Sequence, residues 1–262
     1  MKIGIIQICS TLDFKINLSK IDSFIKEAKS KGADAVFLPE CFYSMSDGSS
    51  PTPYLIEEKN EHYKNIQNLA VDNSVYVLGG SAATLNEQGK VVNRCYNFSD
   101  TGEDLGSYDK INLFSCALKK SGSTKIINES DIYTPGDQPR LIEAMGIKVG
   151  LSICFDLRFP NIYRDYVLKG ARLLTIGSAF TVPSGRAHWH TLVRARAIEN
   201  QCFVVAPGQW GRHNEKISTF GHSLVVDPWG EVLVDLKEGE SVEVCDLDLD
   251  KIQTVRDSIK VF

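Results

Sequence analysis

Short apolar segments alternate with longer amphipathic stretches along the chain. Runs of roughly four to eight apolar and β-branched residues are typical of buried strands, and they lie at 2–8, 35–38, 75–81, 91–98, 149–153, 173–178, 202–207, 223–226 and 242–246. Stretches with apolar residues at every third or fourth position predict helices at 18–31, 58–73, 162–169 and 188–200. Strands that alternate with helices indicate the α/β class.

Turn residues punctuate this pattern without dividing it. Pairs that contain glycine mark turns at 79–80, 135–136 and 229–230, and no linker rich in proline or glycine separates two blocks of sequence. A chain of 262 residues is long enough for one large domain with a substantial core. We therefore expect a single domain over residues 1–262.

The charge balance argues against a nucleic-acid partner. The 29 lysine and arginine residues are scattered, and 33 aspartate and glutamate residues give a net charge of −4. No run of about 20 apolar residues is present to span a bilayer, so we expect no membrane association. Seven cysteines, an odd number without the spacing of a disulfide framework, indicate a reducing compartment, and we expect a cytoplasmic protein.

The segment from Gly150 to Pro160 places Cys154 where an apolar strand gives way to a charged turn. A thiol at a strand end is well placed to act as a nucleophile. The alternative is that Cys154 is a small buried apolar side chain, as free cysteines often are.

Two further strand ends carry ionisable side chains in apolar surroundings. Glu40 follows the strand at 35–38, where desolvation would raise its pKa, and Lys110 lies between Tyr108 and the apolar residues Ile111 and Leu113. A buried lysine needs an anionic partner. Alternatively, Glu40 is a strand-end cap and Lys110 a surface lysine whose stem packs on apolar neighbours.

Together these three residue types suit amide hydrolysis by a thiol. Glu40, with a raised pKa, can take the thiol proton and later deliver it to the departing nitrogen. Lys110 would lower the pKa of Cys154 so that more thiolate is available. The same ammonium and the backbone N–H of Phe155 can face the developing oxyanion, where one donor typically contributes about 3 kcal/mol.

Four motifs now carry a family resemblance: IGIIQICST with Gln7, FLPECF with Glu40, YDKINLF with Lys110 and CFDLRFP with Cys154. In this order they resemble the nitrilase superfamily of carbon-nitrogen hydrolases, whose active site is a Glu-Lys-Cys triad. The resemblance implies a four-layer αββα sandwich and at least a homodimer. The runs AHW, RARAIENQC, GRHNE and FGHSLVVDPWGEVL resemble the branch that contains deaminated glutathione amidases.

The resemblance also implies a role for Glu129, which occupies the position of a second glutamate that orients the lysine and helps to bind substrate. Alternatively Glu129 caps a turn, since Asn128, Ser130 and Asp131 beside it are typical capping residues. The chain departs from the family pattern after Phe114, and the loop at 115–128 is expected near the pocket.

Several other residues have two interpretations. Arg158 can bind a substrate carboxylate through two nitrogens, or it can form an ion pair with Asp156 or Glu40. The resemblance places His188 and Trp189 near the pocket and leaves His190 pointing elsewhere.

No cofactor or metal is expected. No further Cys or His stands at a metal-ligand spacing from the histidines at 188 and 190. Neither a GxGxxG nor a GxxxxGK[ST] segment occurs in a phosphate-binding context. Arg194 and Arg196, with Glu199, predict ion pairs on a helix surface.

The resemblance therefore implies a cysteine amidase that acts on a small linear amide through a thioester. It suggests deaminated glutathione as the substrate, split into 2-oxoglutarate and cysteinylglycine. The alternatives are an ω-amidase that releases ammonia from 2-oxoglutaramate or 2-oxosuccinamate, and a binding protein that keeps the fold without catalysis.

Overall fold

A computed structural model describes residues 1–57, 59–120 and 123–262. Its helices are α1 (Phe14–Ser30), α2 (Glu61–Asn73), α3 (Pro160–Leu168), α4 (Val182–Asn200) and α5 (Asp250–Ser258). Its strands are β1 (Lys2–Gln7), β2 (Ala35–Phe37), β3 (Tyr76–Leu78), β4 (Ser81–Leu85), β5 (Val91–Cys95), β6 (Tyr108–Asp109), β7 (Ser115–Lys120), β8 (Ser123–Asn128), β9 (Leu141–Ala144), β10 (Ile147–Ile153), β11 (Ala171–Gly177), β12 (Phe203–Ala206), β13 (Trp210–Arg212), β14 (Ser218–Phe220), β15 (Leu224–Val226), β16 (Val232–Asp235) and β17 (Ser241–Asp246).

Two mixed sheets form the centre of the molecule. The first has the order β17-β1-β2-β3, and the second has the order β16-β15-β12-β11-β10-β9. Strands β1, β2 and β3 are parallel, as are β10, β11 and β12. Three smaller sheets, β4-β5-β6, β7-β8 and β13-β14, extend from this centre.

Alternation along the strands explains why the two sheets pack face to face. Ile3 and Ile5 of β1 belong to one buried cluster together with Val149 and Leu151 of β10, because every second side chain of a strand points to the same face. Ile6, which points to the opposite face of β1, belongs to a second cluster, which contains buried apolar side chains of α1 and α2.

Helices cover the outer face of the second sheet as well. Gly150 of β10 faces α3, and a Cβ there would lie 2.5 Å from the Tyr166 ring. Tyr163 of α3 donates a hydrogen bond to Ser152 Oγ at 3.0 Å. The order of layers is therefore helix, sheet, sheet, helix, and the predicted α/β class and four-layer sandwich are confirmed.

The structure corrects several predicted boundaries. The single strand predicted at 75–81 is divided into β3 and β4 because Gly79 has φ +78° and breaks the extended backbone. Helix α4 begins at Val182, six residues before the predicted start, and proline stands in its first turn. Helix α2 begins at Glu61 after the Asn60 cap, and position 58, where its start was predicted, lies outside the described residues.

The region after Phe114 is the hairpin β7-β8 rather than a loop. Helix α5 and strands β6, β9, β13, β14 and β16 were not predicted either. Within the described ranges, no helix is long and apolar enough to cross a membrane.

Candidate active site

Strand ends from both central sheets bring the predicted residues together. Glu40 follows β2 of the first sheet, Cys154 follows β10 of the second, and Lys110 follows β6 of the β4-β5-β6 extension. Glu129 begins a 3₁₀ turn directly after β8. The three residues with the strongest sequence signal, Glu40, Lys110 and Cys154, are 4%, 1% and 8% exposed.

A glycine allows the two sheets to approach closely beside this site. A Cβ on Gly177, at the end of β11, would lie 2.7 Å from the Gly79 carbonyl oxygen and 3.3 Å from the Glu40 nitrogen. A side chain at this position would therefore separate the strand ends that carry Glu40 and Cys154.

The Lys110 ammonium lies between two carboxylates. Its Nζ donates to Glu40 Oε1 at 2.8 Å and lies 2.7 Å from Glu129 Oε2. Two anionic partners on one buried cation provide the compensation that a buried lysine requires. The alternative of a solvent-exposed lysine is wrong.

Asn93, on β5, was not identified from the sequence. Its Nδ2 donates to Glu40 Oε1 at 2.9 Å and to Glu129 Oε1 at 3.4 Å, and its carbonyl oxygen accepts from Lys110 N at 2.9 Å. The side chain is 1% exposed. Asn93 thus fixes both glutamates and the lysine backbone, and only the β5-β6 pairing reveals this position.

Glu40 and Cys154 face one another. The Glu40 carboxylate and the Ala179 N–H both lie near enough to the Cys154 thiol to shift its pKa, the carboxylate upward and the N–H downward. Ala179 N also donates to Glu40 Oε2 at 2.9 Å, so both carboxylate oxygens of Glu40 are held. Cys154 has φ +48°, an unusual conformation for a residue with a side chain, which is typical of functional sites.

Burial dominates the electrostatics of these groups. Burial raises the pKa of the Glu40 carboxyl, although Lys110 opposes the rise. Burial opposes the charge on Lys110, but Glu129 and Glu40 raise its pKa well above the ordinary value. Burial and the Glu40 carboxylate raise the pKa of the Cys154 thiol well above its ordinary value, and Lys110 offsets only part of this. The predicted lowering of the Cys154 pKa by Lys110 is therefore smaller than the rise caused by burial and Glu40, and the resting thiol is protonated.

Glu129 contacts both the lysine and the turn, and its part in substrate binding stays a prediction. Its carboxylate accepts from Lys110 and also from Phe114 N at 2.7 Å, while its own N–H donates to the Phe114 carbonyl at 2.8 Å. It therefore stabilises the turn and contacts the lysine at the same time.

Asp156 is a second residue whose contribution the sequence did not reveal. Its Oδ2 accepts from Tyr108 Oη at 2.8 Å and from Ile153 N at 2.9 Å. Its Oδ1 accepts from Asn112 N and Nδ2 at 3.0 and 2.9 Å. Because these donors flank Cys154 and Lys110 along the chain, the fully buried carboxylate ties the thiol turn to the lysine segment.

We expect Asp156→Asn to lower both stability and activity. An amide replaces one of the two accepting oxygens, so two buried donors lose their acceptor, at about 1–3 kcal/mol each. Urea unfolding should show a loss of about 2–4 kcal/mol, together with a lower kcat. Asp165→Asn on the exposed side of α3 is the matched control, and equal stability of the two variants would contradict this role.

Arg158 pairs with neither Asp156 nor Glu40 among the described contacts. Its guanidinium lies 5.6 Å from the centre of the Phe155 ring and 5.5 Å from that of Phe180. Its Nη2 lies 3.3 Å from His188 Nδ1. The cation is therefore held by aromatic faces, and its partly exposed head can still meet an anion.

His188 and Trp189 differ in placement. His188 is exposed beside Arg158, whereas Trp189 is 1% exposed. The Trp189 ring packs on Phe180 at 4.8 Å, and its Nε1 donates to the His222 carbonyl at 2.7 Å. Trp189 therefore packs against Phe180, the residue whose ring also contacts the Arg158 guanidinium.

Arg196 forms the predicted ion pair, but it is buried rather than on the helix surface. Its side chain is 5% exposed, and Nε and Nη2 both donate to the Leu157 carbonyl, at 3.0 and 2.7 Å. The predicted pair with Glu199 is present at 2.7 Å. Arg196 thus fixes the turn that follows Cys154, while Arg194 donates to the Gly230 carbonyl at 2.9 Å.

His190 faces away from Arg158 and meets His222 and Asp235. The sequence pattern did not reveal this group, because its members come from separate elements.

The fold and the buried Glu-Lys-Cys arrangement define a class of hydrolases. Residues 2–257 match the family model for carbon-nitrogen hydrolases, so the chain belongs to this family, whose enzymes cleave carbon–nitrogen bonds other than peptide bonds. The family resemblance of the sequence motifs is confirmed.

Curated relatives and solved structures agree with the family. The chain is 35% identical over 270 residues to a deaminated glutathione amidase of Dictyostelium discoideum, covering 100% of this chain and 92% of the relative. It is 35% identical to the human omega-amidase NIT2, covering 94% of this chain and 88% of the relative. The structure of Saccharomyces cerevisiae Nit3, from branch 10 of the nitrilase superfamily, matches with a TM-score of 0.86 at 28% identity, over 100% of this chain and 94% of the yeast chain.

Proposed function

We propose that this protein is a cysteine-dependent amidase in which Cys154 is the nucleophile, Glu40 the acid and base, and Lys110 the oxyanion-stabilising cation. The observation that carries the proposal is the buried Glu40 carboxylate, which accepts from the Lys110 ammonium at 2.8 Å and raises the pKa of the neighbouring Cys154 thiol. A base, a cation and a nucleophile within mutual reach are the groups that acyl transfer requires.

Acylation begins with a neutral thiol. Glu40 takes the proton from Cys154 Sγ as the sulfur attacks the amide carbonyl carbon, and the carbonyl electron pair moves to oxygen. Lys110 and the Phe155 N–H stabilise this oxyanion. A thiol with a raised pKa needs such a base at the moment of attack, which is the reason that its contact with Glu40 matters.

Collapse of the tetrahedral intermediate completes the first half-reaction. Glu40 gives its proton to the nitrogen, the carbon–nitrogen bond breaks, and the amine leaves a thioester on Cys154. Glu40 then takes a proton from water, whose oxygen attacks the thioester carbon. The carboxylic acid departs as the sulfur recovers a proton from Glu40, so one carboxyl group serves twice.

For the substrate we propose deaminated glutathione, cleaved to 2-oxoglutarate and cysteinylglycine. Support comes from the Dictyostelium deaminated glutathione amidase, whose alignment covers all of this chain. The omega-amidase relative supports the alternative, 2-oxoglutaramate or 2-oxosuccinamate, at the same identity. The first substrate and 2-oxoglutaramate share an acyl half with a terminal carboxylate and differ in the leaving group.

Release of 2-oxoglutarate from the two amides tests this proposal. We expect kcat/KM for deaminated glutathione to exceed that for 2-oxoglutaramate by about 100-fold, about 2.7 kcal/mol of transition-state discrimination. The opposite preference would make the protein an ω-amidase. Inactivity on both would remove this substrate class.

Arg158 is proposed to bind a substrate carboxylate, because its guanidinium is positioned by Phe155 and Phe180 rather than by an acidic side chain. Arg158→Gln should raise KM by about 10–100-fold with a small change in kcat, since a charge-assisted hydrogen bond contributes about 1.5–3 kcal/mol. Steady-state kinetics should show no such change for Arg186→Gln, an exposed arginine on α4. An unchanged KM in Arg158→Gln would refute the role.

The remaining expectations are also proposals. A single domain over residues 1–262 is supported by the family match at 2–257.

A homodimer is supported by the exposed apolar residues Leu168 on α3 and Ile198 on α4, at 67% and 47% exposure. Free thiols at all seven cysteines support a reducing compartment such as the cytoplasm.

A further inference from the structure

Three side chains of metal-ligand type meet outside the active site. His190 comes from α4, His222 from the connection between β14 and β15, and Asp235 from the end of β16. His190 Nε2 lies 3.2 Å from Asp235 Oδ2, and His222 Nδ1 lies 2.9 Å from Asp235 Oδ1. One ligand atom from each residue lies within 4.8 Å of the others.

The backbone holds His222 in a fixed position. Its φ is +54°, its N–H donates to the Lys237 carbonyl at 2.8 Å, and its own carbonyl accepts from Trp189 Nε1 at 2.7 Å. The Phe220 ring stacks on the imidazole at 4.4 Å. A ligand whose ring is already oriented loses little conformational freedom when it binds an ion.

Asp235 is oriented as well. Its Oδ1 accepts from Lys237 N at 2.9 Å, which fixes the carboxylate plane, as an outer hydrogen bond does at metal sites. The side chains of His190, His222 and Asp235 are 38%, 20% and 23% exposed. Solvent therefore reaches the group and can supply the water that completes a coordination sphere.

We propose that His190, His222 and Asp235 bind one divalent transition-metal ion of the zinc type, with water as the further ligand. Bond lengths of about 2.0–2.2 Å in tetrahedral geometry place ligand atoms about 3.3 Å apart. Asp235 Oδ2 lies 3.2 Å from both His190 Nε2 and His222 Nδ1, close to this separation. The ligand atoms of the two imidazoles lie within 4.8 Å of one another and would approach when the ion binds. Two imidazoles and one carboxylate suit zinc or cobalt better than magnesium or calcium, which prefer oxygen ligands.

The bound ion would link α4 to the edge of the second sheet. His190 directly follows Trp189, which supports Phe180, and Phe180 follows Ala179, the residue that donates to Glu40. The ion would thus stabilise the helix that stands behind one wall of the active site, without contributing to the reaction.

Cobalt titration of the full-length Cys154→Ala protein tests the proposal, because this background removes the catalytic thiol as a competing ligand. We expect one Co²⁺ per chain, visible d–d absorption of a four-coordinate ion, no thiolate-to-cobalt charge transfer, and displacement by Zn²⁺. The melting temperature should rise when Zn²⁺ is added.

The decisive variant is His190→Gln/His222→Asn. Both amides can still donate to Asp235, and asparagine tolerates the left-handed backbone at position 222, but neither amide is a strong zinc ligand. Affinity for Co²⁺ should fall at least about 100-fold, beyond the loss typical of outer-shell changes. His188→Gln, which removes an exposed histidine on the same helix, should leave it unchanged.

Equal binding by the double variant and its parent would overturn the proposal, as would the absence of d–d absorption from the parent. If the double variant does not fold, Asp235→Asn provides the same comparison, because its Oδ1 still accepts from Lys237 N. Retained tight binding in that folded variant would likewise refute the site.

Discussion

Cys154→Ala should abolish the release of 2-oxoglutarate while leaving the fold intact. The alanine removes the sulfur whose pKa Glu40 raises, and in the proposed mechanism no acyl-enzyme can form without it. We expect kcat/KM to fall by about 10⁵-fold or more, since removing a nucleophile lowers the rate about as much as removing all the residues that act with it. The measurement is the initial rate of product release at substrate concentrations below KM, with cooperative urea unfolding to verify the fold.

The matched control for this variant is Cys245→Ala, which removes a partly buried thiol on β17. Its activity should equal that of the parent. Mass spectrometry of the parent during turnover should show one acyl group, and peptide mapping should place it at Cys154. Full activity of Cys154→Ala would eliminate the thioester mechanism, whereas inactivity of the parent on every amide tested would favour the non-catalytic binding protein.

Glu40→Gln should give the second largest loss, about 10²–10⁴-fold in kcat, the range typical of general acid–base catalysis. Glutamine cannot take the Cys154 proton, and it cannot return one to the leaving nitrogen. Glutamine has nearly the same volume as glutamate, so the side chain should stay beside Asn93 and Ala179, which donate to Glu40 in the parent. The fall should appear in kcat and in kcat/KM alike, because the interaction exists only in the transition state. Glu27→Gln, an exposed change on α1, should have no effect.

The pH profile of the parent tests the same group. In the proposed mechanism Glu40 must be ionised to accept the thiol proton, so kcat/KM should fall as the pH decreases through its raised pKa, with a midpoint above 4.5. The raised pKa values of Cys154 and Lys110, above 9.0 and 10.5 respectively, predict no descending limb from these groups at neutral pH. An acid limb centred below 4.5 would contradict the assignment of Glu40.

The local sequence was sufficient to predict which ionisable residues lie at strand ends. Glu40, Lys110 and Cys154 each follow a short apolar or aromatic segment, so their placement was visible without any long-range contact. The αββα layers came from the family resemblance, because the same alternation of strands and helices fits many α/β folds.

Residues that act through contacts across the fold were not predictable. Asn93 has polar and apolar neighbours typical of any short strand, and Asp156 was considered only as a partner of Arg158. Arg196 was placed on the surface because the polar residues of the helix pattern predict an exposed face. The pattern does not reveal that this side of α4 packs over the Leu157 carbonyl. Each of these positions depends on pairings between elements that are far apart in sequence.

The division of the active site between the two sheets makes catalysis a sensitive reporter of tertiary structure. Glu40 belongs to the end of β2 and Cys154 to the end of β10, and the close approach at Gly177 holds these ends together. A partly unfolded state in which the sheets have separated would retain its strands and most of its circular dichroism but would have no activity. Neither sheet alone contains both Glu40 and Cys154, so the proposed hydrolysis depends on the packing between them.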